Sequence, residues 1–419
     1  MSETVITQPI IIVGGGIGGL SAALALAKQG VKSIVLERAP EIMEIGAGIQ
    51  LGPNGFRAFS RLGVSQAMDE ICFRPDAIRL MDSVSGEELS RQTLGQIFEA
   101  RFGHPYRVAY RADVQQVLLD AVNAIPELIQ VRLGDGVARF EQDAGGVTVF
   151  MESGATVDGA AVVGADGLWS QVRGQILDAE PPTAGGNVAF RAVLPVEAVP
   201  PQVLTNDVQV WIGPGHHLVC YKVRGGTLFN IIAVVESTRD LSGWDVVGDR
   251  ADLELGFQGA GQAVQSLIAQ IREWRMWTLR DRDPAPGWSQ GRVTLLGDAA
   301  HPMLPFLAQG ACMAIEDAVR LADEVARTPA DLPAALLAYE AARYERTASV
   351  QIAARETGEI NHARGPAREA RNAVLAKRQP NDHEAVSWLF EGEGPRPVRA
   401  QGADIGIFGR HVQAAPTDA

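Results

Sequence analysis

The segment Ile10-Ile11-Ile12-Val13-Gly14-Gly15-Gly16-Ile17-Gly18-Gly19 narrows the possible folds more than any other stretch of this chain. Residues 8–13 form an apolar run rich in β-branched side chains, the pattern of a parallel strand buried on both faces. Gly14-x-Gly16-x-x-Gly19 follows at once. An Ala- and Leu-rich helix is expected from Leu20 to Gln29, stopped at Gly30. A second strand, Ser33 to Leu36, ends at Glu37. Gly14 permits the tight turn, Gly16 lets the backbone approach a pyrophosphate, and Gly19 lets helix and strand pack closely. The helix start offers free N–H groups and a positive dipole end to phosphate. Glu37 follows Gly14 by 23 residues, where an acid is expected to meet ribose hydroxyls. Its neighbour Arg38 reads either as a cofactor contact or as a solvated surface arginine. The unit predicts a dinucleotide-binding βαβ fold without choosing the dinucleotide.

Two distant segments repeat the logic. Residues 158–173 run from a short apolar strand into Gly164-Ala165-Asp166-Gly167, then Ser170 and Arg173 at a helix start. Residues 292–298 give a strand ending in Gly297-Asp298. Small residues and a Pro follow, and a helix begins near Gln309-Gly310-Ala311. Taken singly, Asp-Gly is a turn former and Asp298 a helix N-cap. Arg111, in Tyr110-Arg111-Ala112-Asp113, is singly a surface arginine. The net charge of −13 argues against a nucleic-acid partner. Cys72, Cys220 and Cys312 are far apart, with no metal-ligand spacing and no disulfide framework. A reduced, cytoplasmic setting is expected. The N-terminal lead lacks the basic region of a signal peptide, and its apolar run is too short to span a bilayer. No membrane association is expected.

In order and spacing, Gly14-Gly15-Gly16-Ile17-Gly18-Gly19, Asp166-Gly167 and Gly297-Asp298 resemble the class A flavoprotein aromatic hydroxylases, FAD monooxygenases of the p-hydroxybenzoate hydroxylase type. The resemblance runs from about residue 8 to about residue 350. It implies an α/β fold. A Rossmann-like FAD-binding domain of the GR2 type carries an inserted antiparallel β-sheet substrate domain, with C-terminal helices. It implies that Glu37 binds the adenosine ribose, that Arg111 contacts FAD, and that Asp166 serves both FAD and NAD(P)H. Asp298 binds the ribityl hydroxyls. Pro305 to Ala311, including Gln309, Gly310 and Ala311, passes beside the flavin ring, where backbone N–H groups stabilise negative charge. Gly48 joins these cofactor candidates. The implied reaction uses NADH or NADPH and O2, and hydroxylates a phenolic aromatic acid through a C4a-hydroperoxyflavin. No second GxGxxG unit is present, so the reductant has no Rossmann domain of its own. A homodimer is the family expectation.

Between about 182 and 275 the pattern changes to hairpins. Val208 to Ile212, His216 to Val223 and Leu228 to Glu236 read as strands, with turns at Gly213-Pro214-Gly215 and Arg224-Gly225-Gly226. Period-2 alternation puts His217, Val219 and Tyr221 on one face and His216 and Cys220 on the other. His217 is a candidate base, since imidazole titrates near neutral pH, and Tyr221 a candidate for orienting the ring. This segment resembles the subfamily of 3-hydroxybenzoate 6-hydroxylase, salicylate hydroxylase and 6-hydroxynicotinate 3-monooxygenase, in which such a His and Tyr serve the substrate. Pro305 stands where 3-hydroxybenzoate members often carry Gln, and Gln50 where the 6-hydroxynicotinate branch has His. Met303 and residues 308–317 resemble that second branch more. Both Pro305 and Gln50 are substrate-side candidates, and the substrate stays open between a 3-hydroxybenzoate- or salicylate-like acid and a hydroxypyridine carboxylate.

The expected organisation is a discontinuous FAD-binding domain (1–75, 100–181 and 276–350) and a substrate domain (76–99 and 182–275). A C-terminal helical segment with a flexible tail (351–419) follows. The halogenase Trp-x-Trp-x-Ile-Pro pattern is missing, since Trp274 and Trp277 have the wrong spacing. A non-hydroxylating FAD redox sensor would leave His217 and Tyr221 without a purpose.

Overall fold

The computed structural model describes residues 6–42, 47–177, 180–241, 243, 246–248, 250–392 and 394–396. The expected flexible end of the chain, residues 397–419, lies outside these, as does Gly46.

Ile10–Val13 is buried along its whole length and occupies the middle of a five-stranded parallel sheet. The order is Val293–Leu295, Ala161–Gly164, Ile10–Val13, Ser33–Glu37, Ile129–Leu133. Ile11 pairs with Val162 on one side and Ile34 on the other. Three strands distant in sequence thus end side by side, and the Gly14, Asp166 and Asp298 loops all leave from their carboxyl edges. Open parallel sheets bind ligands at that edge. The first helix spans Ile17–Lys28 and packs against Gly310–Arg327.

The second sheet has eight strands, in the order Val246–Val247, Arg275–Asp281, Thr183–Pro195, Leu228–Glu236, His216–Val223, Val208–Gly213, Ala77–Asp82, Glu88–Thr93. The hairpins fall where the turn residues put them. One pairing departs from an all-antiparallel sheet: Ala77–Asp82 runs parallel to Val208–Gly213, because the strand arrives from a distant part of the chain rather than through a hairpin. Arg275–Asp281 was expected to open the last piece of the FAD domain, but it pairs with Thr183–Pro195 in this sheet. A separate antiparallel meander, Val137–Gln142, Val147–Met151 and Thr156–Gly159, has no counterpart in the sequence reading.

The alternation along His216–Val223 divides the sheet's two faces. Leu218 and Cys220 join a core with Leu253, Leu267 and Ile268 from the helices Arg250–Gly256 and Gln262–Ala269. Val219 and Tyr221 face a different core, with Leu304, Leu307, Met313 and Val350. That second face looks toward the parallel-sheet half of the molecule. The helix Leu332–Asn361 runs unbroken through the boundary expected at 350, and Gly365–Leu375 and Glu384–Phe390 follow it.

Candidate active site

The glycine loop has the geometry its spacing predicts. Gly14 has φ +109°, and a Cβ there would overlap the Ala165 carbonyl. A Cβ on Gly19 would overlap the Gly14 carbonyl. At Gly16, by contrast, a Cβ would meet nothing within 4 Å. The loop therefore keeps its tight spots for its own packing and presents open space at Gly16, as a phosphate cradle requires. Glu37 accepts from the Gly15 N–H (2.7 Å) and the Ala39 N–H (2.9 Å), so its carboxylate sits over the loop. Arg38 is exposed.

Asp298 is surrounded by protein, yet its side chain remains accessible, as a group lining an internal cleft does. Burial pushes its carboxyl up, opposed by the charge of Arg111. Gly310 opens the helix Gly310–Arg327 beside Asp298, where a Cβ would lie 3.8 Å from the carboxylate. Gln309 is buried and accepts from Asn54 Nδ2 at 2.9 Å; Ala311 follows in the first turn. Asp166 is used locally: it accepts from the Ser170 hydroxyl (2.5 Å) and the Gln171 N–H (2.8 Å). Burial pushes its carboxyl up against these hydrogen bonds. Gly48 donates its N–H to Asn230 Oδ1 (2.7 Å), joining the cleft to the large sheet. The open loop, the accessible deep acid and the adjoining helix start fit an extended dinucleotide such as FAD.

Where the two halves meet there is a cavity of about 150 Å³. His217 and Val219 line it from the large sheet, Gln50 and Tyr106 from a two-stranded ribbon of Gly48–Leu51 and Arg107–Tyr110 and the residue before its second strand, and Pro305 to Ala308 from the loop. Tyr221 lies further along the His217 face, fully buried, and does not reach the lining. The phenol at the wall is Tyr106, which donates to Gln50 Oε1 at 2.6 Å. Gln50 in turn lies within hydrogen-bonding reach of Tyr221. Burial raises both phenols well above their ordinary range, so both stay protonated. The loop holds Ala308 at φ +52°, a left-handed conformation that costs a residue with a Cβ roughly 1–2 kcal/mol.

His217 is 3% exposed, and its Nδ1 meets His362 Nε2 at 2.7 Å. Burial holds His217 well below the usual imidazole range, and His362 and then His216 add to the effect. It is therefore neutral at pH 7, with Nε2 left for the cavity. The Phe306 ring stands edge-on to His217 with centroids 5.1 Å apart. Gly358, where a Cβ would overlap Phe306, makes room for it.

The C-terminal segment closes the cavity with Thr357, Asn361, Arg378, Val386, Leu389 and Phe390. Sequence reasoning missed His362, Asn361, Arg378 and Tyr106. No motif marks them, because their roles arise from packing between elements far apart in the chain. An inventory of the seven histidines would have raised His362 as a candidate.

The FAD binding domain family matches residues 7–354. The chain is 40% identical over 393 residues to a 3-hydroxybenzoate 6-hydroxylase of Polaromonas naphthalenivorans (strain CJ2), covering 93% of this chain and 97% of that protein. It is 34% identical over 345 residues to a 6-hydroxynicotinate 3-monooxygenase of Bordetella bronchiseptica, covering 82% and 89%. Among solved structures, Klebsiella pneumoniae HpxO complexed with FAD and uric acid superposes with a TM-score of 0.79 at 32% identity, covering 90% of this chain and 95% of that one. Family match, fold and cleft agree: the chain belongs to the FAD-binding hydroxylase family and is a flavin monooxygenase.

Proposed function

We propose that this enzyme hydroxylates a small phenolic carboxylate of the 3-hydroxybenzoate type, held between His217 and Arg378. One observation carries the reading: the same cavity is lined by a buried neutral imidazole and by a guanidinium with no hydrogen-bond or ion-pair partner among the described residues. Burial lowers the Arg378 pKa, partly offset by the charge of Asp382. A substrate carboxylate would supply the missing partner, and charge-assisted bonds are the strong ones. At the other end, His217 Nε2 accepts the phenol proton and leaves an electron-rich ring. Gln50 and Asn361 orient the ring; the Asn361 Oδ1 is buried without a protein partner. FAD, reduced by NADH or NADPH, supplies the oxygen-activating chemistry when bound. Gly14, Gly16 and Gly19 would receive its pyrophosphate, Glu37 its adenosine ribose and Asp298 its ribityl chain. Arg111, Gly48, Asp166, Gln309, Gly310 and Ala311 would complete the cleft. The apolar wall of Val219, Phe306 and Leu389 excludes water, which protects a reactive oxidant.

The test follows NADH and NADPH oxidation with 3-hydroxybenzoate, salicylate and 6-hydroxynicotinate, with product chromatography. A dihydroxybenzoate from 3-hydroxybenzoate, formed in step with reductant use, is the expected result. Oxidation indifferent to every aromatic would sink the reading, and turnover of 6-hydroxynicotinate alone would move the substrate to the pyridine carboxylates. Gly16→Val should purify folded but without yellow colour, because its side chain enters the cradle.

A further inference from the structure

The cavity is not the only opening beside His217. A cleft of about 500 Å³ lies on the other side of Phe306, lined by Asn187, Glu236, Arg355, Glu359, His362 and Arg364 among others. Phe306 belongs to both walls. His217 lines the cavity and not the cleft, whereas His362 and Glu236 line the cleft and not the cavity. The two imidazoles meet through this partition, Nδ1 to Nε2, at 2.7 Å. The far nitrogen of His362, Nδ1, lies 3.6 Å from Glu236 Oε1. Glu236 is 41% exposed at its side chain and is held by a two-bond pair with Arg364 (2.9 and 2.6 Å).

We propose that His217, His362 and Glu236 form a proton path from the closed cavity to the open cleft, so that the phenol proton leaves without opening the site. The inference rests on the reading of His217 as the base. The phenol O–H bond breaks and its proton joins His217 Nε2. The His217 Nδ1 proton passes to His362 Nε2, and the His362 Nδ1 proton passes to the Glu236 carboxylate or to cleft water. One proton has moved, the substrate is left as phenolate, and both imidazoles end neutral with exchanged tautomers. The reverse passage resets them.

The surroundings favour transfer over storage. Burial holds His217 well below the ordinary imidazole range and His362 at about 4, so neither keeps a proton at neutral pH. Titratable and charged groups facing His362 act both ways: Glu236 raises its pKa, while His216, Arg364 and Arg371 lower it. The pair itself lowers His217, which again disfavours a resting imidazolium. A single buried base would have to hold the proton until the site opened; this pair passes it on.

The test uses the FAD-loaded enzyme and 3-hydroxybenzoate in weak buffer with a pH indicator dye, mixed rapidly without reductant. Substrate binding is read separately from the flavin absorbance change. Wild type should release close to one proton per site as the phenol binds. His362→Ala should bind the substrate with similar affinity but release the proton at least tenfold more slowly, and added imidazole should restore the rate through the cleft. Glu236→Gln, at a half-exposed site, should fold normally and slow release two- to fivefold. Unslowed release in both variants, or slowing that imidazole does not relieve, overturns the path while leaving the base reading intact. Binding without proton release in wild type overturns the base reading and the path with it.

Discussion

Two buried histidines divide the labour of this molecule. His301 follows the Gly297-Asp298 turn, and its Nε2 meets Asp317 Oδ2 at 2.6 Å. Asp317 also accepts from the Gly297 N–H (3.1 Å) and from Arg343 Nε (2.6 Å). Arg343 continues to Glu316 at 2.7 Å, and Glu316 to Arg346 and to Asn54. The carboxylates and guanidiniums in this network are paired and buried. It ties the Gly310–Arg327 helix to Leu332–Asn361 and fixes the turn that presents Asp298. His217 has one imidazole partner, with the cavity on one side and His362 and the open cleft on the other. A closed network fixes geometry; the open one is the proposed proton path. The two share a residue type, and their connections separate their roles.

The largest expected effect breaks the closed network. Asp317→Ala leaves Glu316 as the one carboxylate serving the buried Arg343 and Arg346 guanidiniums and should cost about 3–5 kcal/mol of unfolding free energy, read by urea denaturation. FAD retention should fall with it, because the Gly297 turn loses its anchor. His217→Ala should instead leave the denaturation midpoint near wild type and keep the protein yellow. If both variants lose stability alike, the distinction between the networks fails.

Next in size is the Arg378 end of the cavity. Arg378→Met keeps the stem and removes the charge, so it should raise KM with little change in kcat. A hydrogen bond to a charged group contributes about 1.5–3 kcal/mol, so the expected rise is roughly 10- to 150-fold. An unchanged KM would remove Arg378 from the substrate site.

The smallest effect separates the networks by pH. Burial opposes ionisation of Asp317, but His301 and Arg343 outweigh it and hold the carboxyl at about 2. A depressed carboxylate stabilises the fold above its unfolded pKa, near 4, and loses that contribution as pH falls toward 2. His217, His362 and His216 are buried neutral, the last two at about 4. The unfolded chain protonates them from about pH 6.5 downward, so stability should already fall between pH 6.5 and 4. His362→Gln should shrink the upper step and leave the lower one, and Asp317→Asn should shrink the lower step and leave the upper one. Denaturation midpoints measured across pH 2–8 would show both. A flat profile from 6.5 to 4 contradicts the neutral burial of the histidines.

The sequence exposed local mechanics well and assembly poorly. Gly14, Gly16 and Gly19 were legible because each solves a problem within a few residues of itself. His217 was legible because alternation along one strand assigns its face. Tyr221 shared that face, but alternation says nothing about depth, and Tyr106 and Gln50 line the cavity where Tyr221 does not. Arg275–Asp281 was placed in the wrong layer because strand partners are set by pairing with Thr183–Pro195, 80 or more residues away in sequence. Arg378 and His362 carry no local signature. They become site residues only because the C-terminal helices fold back over the cavity.

The most direct test of the account is the ratio of hydroxylated product to reductant consumed by His217→Ala with 3-hydroxybenzoate. General-base catalysis is worth about 10²–10⁴-fold, so hydroxylation should fall by that factor while FAD stays bound and reductant is still oxidised, with hydrogen peroxide as the product. A His217→Ala enzyme that forms the dihydroxybenzoate in step with reductant, as wild type does, would contradict the central claim.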